Sequence, residues 1–349
     1  MKEHKNIFGK GILYDETDLK GNIYATSAAC MSVWSDLLSW ANNTVNKDRF
    51  VNDPKNADSI IVLGCQVTDL SILNDIKIAE KLYKETRKEI FMGGCLAQRF
   101  DIELPNFIKR LDVVRLVGQP IYNRNLINYE PPFWVKNFEK TDELLKEGNL
   151  FRNFYPLKIG AGCHGKCKYC TITQTRGDNY EVIPENQEQE FLKFDNIVLI
   201  SDSPTVSQIK GWCELAIKYN KEISIRNIEP TVLVRCAKEV INISEKGLLK
   251  ILHCPVQSFD DEILKIMNRD PKFMWGALEV IKEVRKHGTL TATNIIIDYV
   301  YDGKTYPNYN KEMLEKYFDY YSWNPYFDGK FDMKKAEERW EKYIIKGVE

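Results

Sequence analysis

Three cysteines fall close together in the segment Gly160-Ala161-Gly162-Cys163-His164-Gly165-Lys166-Cys167-Lys168-Tyr169-Cys170. Their pattern is C-x3-C-x2-C on a glycine-rich loop that follows a predicted strand. Three thiolates placed this way can converge on one inorganic centre. A structural zinc ion takes four protein ligands. No fourth cysteine is near, and His164 adjoins Cys163, an awkward position for sharing its ion. A [4Fe–4S] cluster held by three cysteines instead leaves one iron open to bind a small molecule.

Cys30, Cys65 and Cys95 are scattered in sequence, yet each follows a predicted strand: NIYATSAAC at 22–30, ADSIIVLGC at 57–65 and EIFMGGC at 89–95. Taken singly, each reads as a buried apolar thiol. Helices are predicted over 33–41 and 72–87, the latter carrying Ile72, Ile76, Ile78, Ala79 and Leu82 at helical spacing. Strand, helix and strand in turn predict a parallel α/β sheet, here of flavodoxin-like type. In such sheets ligands bind beyond the C-terminal strand ends, where these three cysteines would lie. Cys213 and Cys236 fall in predicted helices among apolar neighbours and read as core residues.

A second alternation begins at Tyr155, with strands predicted over 155–160, 196–201, 222–228, 249–256 and 290–297. Helices are predicted near 205–219, 231–242 and 273–287. Repeated βα units predict a full or partial barrel, or a doubly wound sheet. The domain division is then 1–125 for the first α/β domain, 126–153 for a linker, 154–304 for the partial barrel and 305–349 for an aromatic-rich extension. In that extension a helix is expected over 333–346, with Asp332 as its N-cap. The extension is expected to pack its aromatics against the second domain rather than form a substrate platform.

The chain has 349 residues, with 49 Lys and Arg against 50 Asp and Glu. A formal charge of −1 excludes a protein that coats nucleic acid by bulk electrostatics, though not one with a local basic groove. Hydrophobic residues make up 44% and charged residues 28%, as in ordinary globular proteins. No apolar run approaches a membrane span, and the N-terminal segment lacks the apolar core of a secretory signal. The expected location is the cytoplasm. Structural disulfides are rare there, so clustered cysteines point to metal or catalysis.

The cysteine triplet resembles that of the radical S-adenosylmethionine (SAM) superfamily. More narrowly, the chain resembles its methylthiotransferases. Thr175-Arg176-Gly177 and Pro184 follow the cysteine loop, as in that family. His253-Cys254-Pro255-Val256-Gln257-Ser258 resembles its H-x-P-V-Q-S, and Ile263 to Arg269 resembles its L-K-x-M-N-R helix. Ile228-Glu229-Pro230 and Gly94-Cys95-Leu96-Ala97-Gln98 resemble two further stretches. The resemblance spans roughly residues 22 to 300.

It implies a SAM-binding [4Fe–4S] cluster on Cys163, Cys167 and Cys170, and an auxiliary [4Fe–4S] cluster on Cys30, Cys65 and Cys95. The expected reaction takes a methyl group from one SAM and a hydrogen-abstracting radical from another, and inserts sulfur at an unactivated C–H bond. Tyr169 is expected near the adenine, and Gln257 among the neutral groups around the ribose. Arg226 is placed either on the SAM carboxylate or on an interior acid; the family's own strand arginine aligns with Ser224, on the same strand face. His253 reads as a strand histidine bonded to backbone rather than a catalytic group, and Cys254 as a filler of a small apolar space. An electron donor of flavodoxin or ferredoxin type is implied.

The chain departs from the family pattern at three places. Asp298-Tyr299-Val300-Tyr301-Asp302 replaces a G-F-P-G-E run. Asp202 stands where relatives place glutamine. Nothing from Tyr306 onward reads as the strand-rich, basic RNA-binding module (TRAM) of the tRNA-modifying members. The missing module and the near-neutral charge make a peptide, a protein residue or a small metabolite the expected substrate, with tRNA adenosine as the alternative. Two further alternatives are an auxiliary cluster that only relays electrons and a non-catalytic iron–sulfur sensor.

Overall fold

The computed structural model describes residues 1–43, 47–113, 128–129, 154–177 and 180–345. The chain divides into two compact units. Met1–Phe133, Gln174–Arg176 and Gly329–Glu349 form the first; Trp134–Thr173 and Gly177–Asp328 form the second.

In the first unit, β1 (Lys2–Asn6) and β2 (Gly9–Leu13) make an antiparallel hairpin. The chain continues through β3 (Ile23–Ser27), α1 (Met31–Asn43), β4 (Ser59–Gly64), α2 (Asp69–Thr86), β5 (Ile90–Gly94), β6 (Ile108–Arg110) and β7 (Asn128–Tyr129). These strands form one parallel sheet in the order β6-β5-β4-β3-β7. Parallel neighbours need a crossover, and α1 and α2 supply it. Every residue of β3 and β4 is buried, as expected of strands covered on both faces. α2 buries Leu70, Leu73, Ile76 and Ala79, and the Thr68 hydroxyl caps it by accepting the Ser71 N–H at 3.0 Å. The sheet matches the expected parallel α/β arrangement. The segment expected as a linker lies outside the described residues except for β7, which pairs with β3.

The second unit contains β8 (Tyr155–Lys158), β9 (Gly160–Ala161), the start of α3 (Ile172–Arg176), β10 (Tyr180–Glu181), α4 (Glu188–Lys193), β11 (Ile197–Ile200) and α5 (Val206–Tyr219). It continues through β12 (Ile223–Ile225), α6 (Pro230–Arg235), α7 (Ala237–Glu245), β13 (Leu249–His253), α8 (Asp261–Ile266), α9 (Pro271–Lys286) and β14 (Leu290–Ile297). After the β15–β16 hairpin (Tyr299–Tyr301, Lys304–Tyr306) come α10 (Lys311–Tyr317) and β17 (Tyr320–Pro325). Six strands pair in parallel in the order β17-β14-β13-β12-β11-β8, an open parallel sheet of repeated βα units. The helix expected over 231–242 breaks at Cys236, whose Sγ donates to the Val232 carbonyl at 2.9 Å.

The segment from residue 305 is not one extension. β17 pairs with β14 from Ala292↔Tyr320 to Ile297↔Pro325, so the sheet gains its sixth strand from residues set outside the barrel by the sequence reading. Tyr320, Tyr321 and Trp323 are buried there. The last helix, α11 (Met333–Trp340), belongs to the first unit. Its Arg339 pairs with Asp69 at 2.6 Å, and Lys77 of α2 lies 4.8 Å from the Trp340 ring centre. Asp332 caps it as expected, accepting the Lys335 N–H at 3.1 Å. No helix among the described residues is long and apolar enough to cross a membrane.

Candidate functional site

In the first unit Cys65 and Cys95 directly follow β4 and β5, and Cys30 stands three residues past β3. These are three adjacent strands with registers Ser27↔Leu63 and Gly64↔Gly94, so all three cysteines lie at one sheet edge. Neighbouring strands lie about 4.8 Å apart, which sets the scale of their separation. Glycine is required at this edge. Gly94 has φ of +75°, and a Cβ there would lie 2.8 Å from both the Gly64 carbonyl oxygen and Val33 Cγ1.

Cys65 and Cys95 are buried and Cys30 is half-buried. Burial pushes the Cys65 thiol well up, and Cys30, Asp75 and Cys95 add to the shift through their charges. Asp75 accepts the Cys65 backbone N–H at 2.6 Å, and burial raises its own pKa well above the carboxylate range. The segment Gln174–Arg176 inserts beside this edge. Thr175 Oγ1 accepts from Gln66 Nε2 at 3.1 Å, next to Cys65. Arg176 pairs with Asp36 of α1 at 2.7 Å, and its Nη1 reaches Cys95 Sγ at 4.0 Å. Val33, Asp36, Gly94, Cys95, Thr175 and Arg176 line one cleft.

In the second unit the triplet loop leaves β9. The Gly165 N–H donates to Cys163 Sγ at 3.1 Å, and the Cys170 N–H donates to the Cys167 carbonyl at 3.1 Å. Burial raises the Cys163 thiol and pushes Cys170 up to about 12, each further raised by neighbouring thiols of the triplet. Asp202 Oδ2 accepts the N–H of Gly162 at 2.8 Å, so the residue that departs from the family pattern holds the backbone just before Cys163.

The Met267-Asn268-Arg269 stretch holds the loop from the other side. Met267 accepts the Lys168 N–H at 3.1 Å, and Asn268 donates to the Lys166 carbonyl at 2.9 Å. The Arg269 guanidinium lies 5.8 Å from the Tyr169 ring centre and donates to the Pro255 carbonyl at 3.1 Å. In the sequence this stretch stands out only as a motif. Tyr169 packs against Ile263, Met267, Ile296 and Tyr299.

Arg226 is buried just past β12, and its Nη1 finds no hydrogen-bond partner among the described residues. The buried Ser224 hydroxyl, two residues earlier on the same strand face, finds none either. His253 accepts the Asn227 backbone N–H on Nδ1 at 3.2 Å and bonds Asn294 Oδ1 through Nε2. This assigns the neutral tautomer with the proton on Nε2. Burial, with the Arg226 charge adding to it, lowers its pKa to about 3. Gln257 adopts φ of 68°, unusual for a side-chain-bearing residue, and its backbone carbonyl accepts from Asn308 Nδ2 at 2.8 Å. Cys213, Cys236 and Cys254 are fully buried in the core.

Among the described residues no three His, Cys, Asp or Glu side chains converge at single-ion spacing. A [4Fe–4S] cluster takes each thiolate on a different iron, so its cysteines stand further apart than the ligands of one ion. Two features fit that group: thiols within one another's field in each unit, and N–H donors aimed at Cys163 and Cys95 sulfur. The orphaned donors of Arg226 and Ser224 fit a polar ligand in the second unit.

The family model of the radical SAM superfamily matches residues 157–317. Ribosomal protein uS12 methylthiotransferase RimO of Clostridium novyi is 27% identical over 301 residues, 77% of this chain and 66% of that protein. The protein of the same name from Lachnoclostridium phytofermentans is 29% identical over 245 residues, 62% of this chain and 55% of that one. The chain thus spans just under two thirds of the first relative's length. The radical SAM methyltransferase TsrM of Kitasatospora setae superposes at 9% identity with a TM-score of 0.46, over 80% of this chain and 68% of that one.

Proposed function

We propose that this chain, which carries a radical SAM domain over residues 157–317 and is homologous to the RimO methylthiotransferases, inserts sulfur as a methylthio group at an unactivated C–H bond of a protein residue. In this reading Cys163, Cys167 and Cys170 hold the SAM-binding [4Fe–4S] cluster, and Cys30, Cys65 and Cys95 hold a second. Bound there, the first cluster with SAM supplies the hydrogen-abstracting radical and the second supplies the sulfur. The observation that carries the reading is the placement of Cys30, Cys65 and Cys95 at the ends of three adjacent parallel strands, at one edge of the sheet.

The protein's own groups then have distinct tasks. The Arg226 guanidinium and Ser224 hydroxyl bind the anionic and polar parts of SAM. Tyr169 is assigned to the adenine and Gln257 to the ribose of the same ligand. His253 has both ring nitrogens engaged, so it orients Asn294 and its neighbours and takes no proton near pH 7. Asp202 and Asn268 fix the loop backbone. A flavodoxin- or ferredoxin-type donor delivers the electrons, and nine free cysteines suit a reducing, cytoplasmic setting.

A protein residue is favoured as substrate because the curated relatives are named for a ribosomal protein. The test is anaerobic incubation with SAM, reductant and sulfide, with ribosomal proteins in one arm and unmodified tRNA in the other. A methylthio group on a protein residue is the expected product. A methylthiolated adenosine would replace the substrate assignment with tRNA. Sustained SAM cleavage without sulfur transfer to any protein or peptide would favour an electron relay.

A further inference from the structure

Arg176 is nearly inaccessible, with its side chain 3% exposed, and its partner Asp36 is 7% exposed. Burying a cation is costly unless it is paired and hydrogen-bonded. Here two partners come from one face of α1. Asp36 accepts from Nη1 at 2.7 Å, and Ser32, one turn earlier, accepts from Nη2 at 3.4 Å. The same Nη1 reaches Cys95 Sγ. A fork held by Asp36 and Ser32 is therefore directed at one sulfur of the strand-end cysteine set.

A core ion pair by itself is weak evidence of stabilisation, since an apolar replacement often serves as well. Its position beside a thiolate ligand gives it a different use. Hydrogen bonds to cluster sulfurs, together with local charge, set a cluster's reduction potential. Adding one electron increases the negative charge on the sulfurs, so an N–H donor stabilises the reduced form more than the oxidised form. We propose that Arg176, locked by Asp36, is a positioning residue that donates to the Cys95 thiolate and raises the reduction potential of the first unit's cluster. This inference rests on the reading that Cys30, Cys65 and Cys95 hold a [4Fe–4S] cluster.

The test uses the full chain carrying Cys163→Ala, Cys167→Ala and Cys170→Ala, reconstituted anaerobically so that only the first unit's cluster remains. Iron content is measured first. The one-electron reduction of the cluster by a low-potential chemical reductant is then followed by its absorbance and electron paramagnetic resonance against dye mediators. Replacing Arg176 by Gln should leave the iron in place. It should change the oxidised-to-reduced ratio at a fixed potential about tenfold toward the oxidised form, equivalent to about 59 mV for a one-electron couple. Replacing it by Lys keeps the charge but loses the fork, and should restore part of that shift. An unchanged potential in both variants overturns the role of Arg176 and leaves the cluster standing. No iron in the triple-alanine protein, whatever stands at position 176, overturns the cluster and this inference with it. If the Gln variant alone loses its iron, the Lys variant decides by the same criterion.

Discussion

Asp75 and Cys65 are joined by a 2.6 Å hydrogen bond in which the Cys65 backbone N–H donates to Asp75 Oδ2. The bond links the second turn of α2 to the end of β4, with both residues buried. It fixes the peptide from which one strand-end thiol departs. Asp75→Ala would leave that N–H buried and unsatisfied, at a cost of about 1–3 kcal/mol. Asp75→Asn keeps an acceptor and removes a charge that burial already disfavours, so it should cost less than half as much. Denaturant unfolding of both variants checks the order. Equal losses would show that the hydrogen bond is not what matters.

Arg226 offers the opposite case, a buried donor without a partner among the described residues. Arg226→Met should leave the ligand-free protein as stable or raise its stability by about 1 kcal/mol, because it removes an unsatisfied buried group. The same change should weaken SAM binding about 10- to 100-fold, the worth of a hydrogen bond to a charged group. Calorimetry on the reconstituted protein reads the affinity, and thermal unfolding of the ligand-free protein reads the stability. A variant that loses stability and keeps its SAM affinity would make Arg226 a structural residue.

His253 gives a pH dependence. Its folded pKa of about 3 lies below its ordinary 6.5. Above pH 6.5 neither state binds the proton. Between 6.5 and 3 the unfolded state binds it and the folded state does not, so stability falls as pH falls, by up to about 1.4 kcal/mol per pH unit. His253→Gln lacks this penalty. The stability gap between wild type and variant should therefore narrow from pH 7 to pH 5, which urea unfolding at the two values measures. A constant gap would mean that His253 titrates normally.

Metal content separates the two cysteine sets. Anaerobically reconstituted protein should hold about eight irons, and alanine at Cys163, Cys167 and Cys170 should leave about four. Alanine at Cys65 or Cys95 should abolish sulfur transfer while sparing part of the 5′-deoxyadenosine formation. A content near four in the unsubstituted protein, indifferent to Cys30, Cys65 and Cys95, would remove the second cluster.

Gly94 tests the packing at the cysteine edge. Alanine there is strained by φ of +75° and brings its Cβ to 2.8 Å from the Gly64 carbonyl oxygen. The change should destabilise the protein by about 1–3 kcal/mol and lower iron retention in the first unit. Gly288, with φ of +86° and open space around its Cβ position, serves as the control: alanine there should cost stability without affecting iron.

Local pattern was enough to read several elements of the fold. The apolar run Ser59–Leu63 and the helical period of Ile72, Ile76 and Ala79 carry their own periodicity, so β4 and α2 could be read directly. Glycine before Cys65 and Cys95 marked strand ends, and the C-x3-C-x2-C spacing is a chemical pattern contained in one loop. Tertiary structure decided what depends on partners far apart in the chain. Tyr320–Pro325 shows no strand signal strong enough to stand out from an aromatic tail; it becomes the sixth strand because β14 offers an edge along six register positions. His253 has its tautomer only because Asn227 and Asn294 meet it from two other segments. Arg176 could be quoted from its motif, but its task depends on Asp36 and Cys95, 140 and 81 residues away in sequence. A hydrogen-bond partner at such a distance leaves no local period or spacing, and only the folded backbone brings the two groups together.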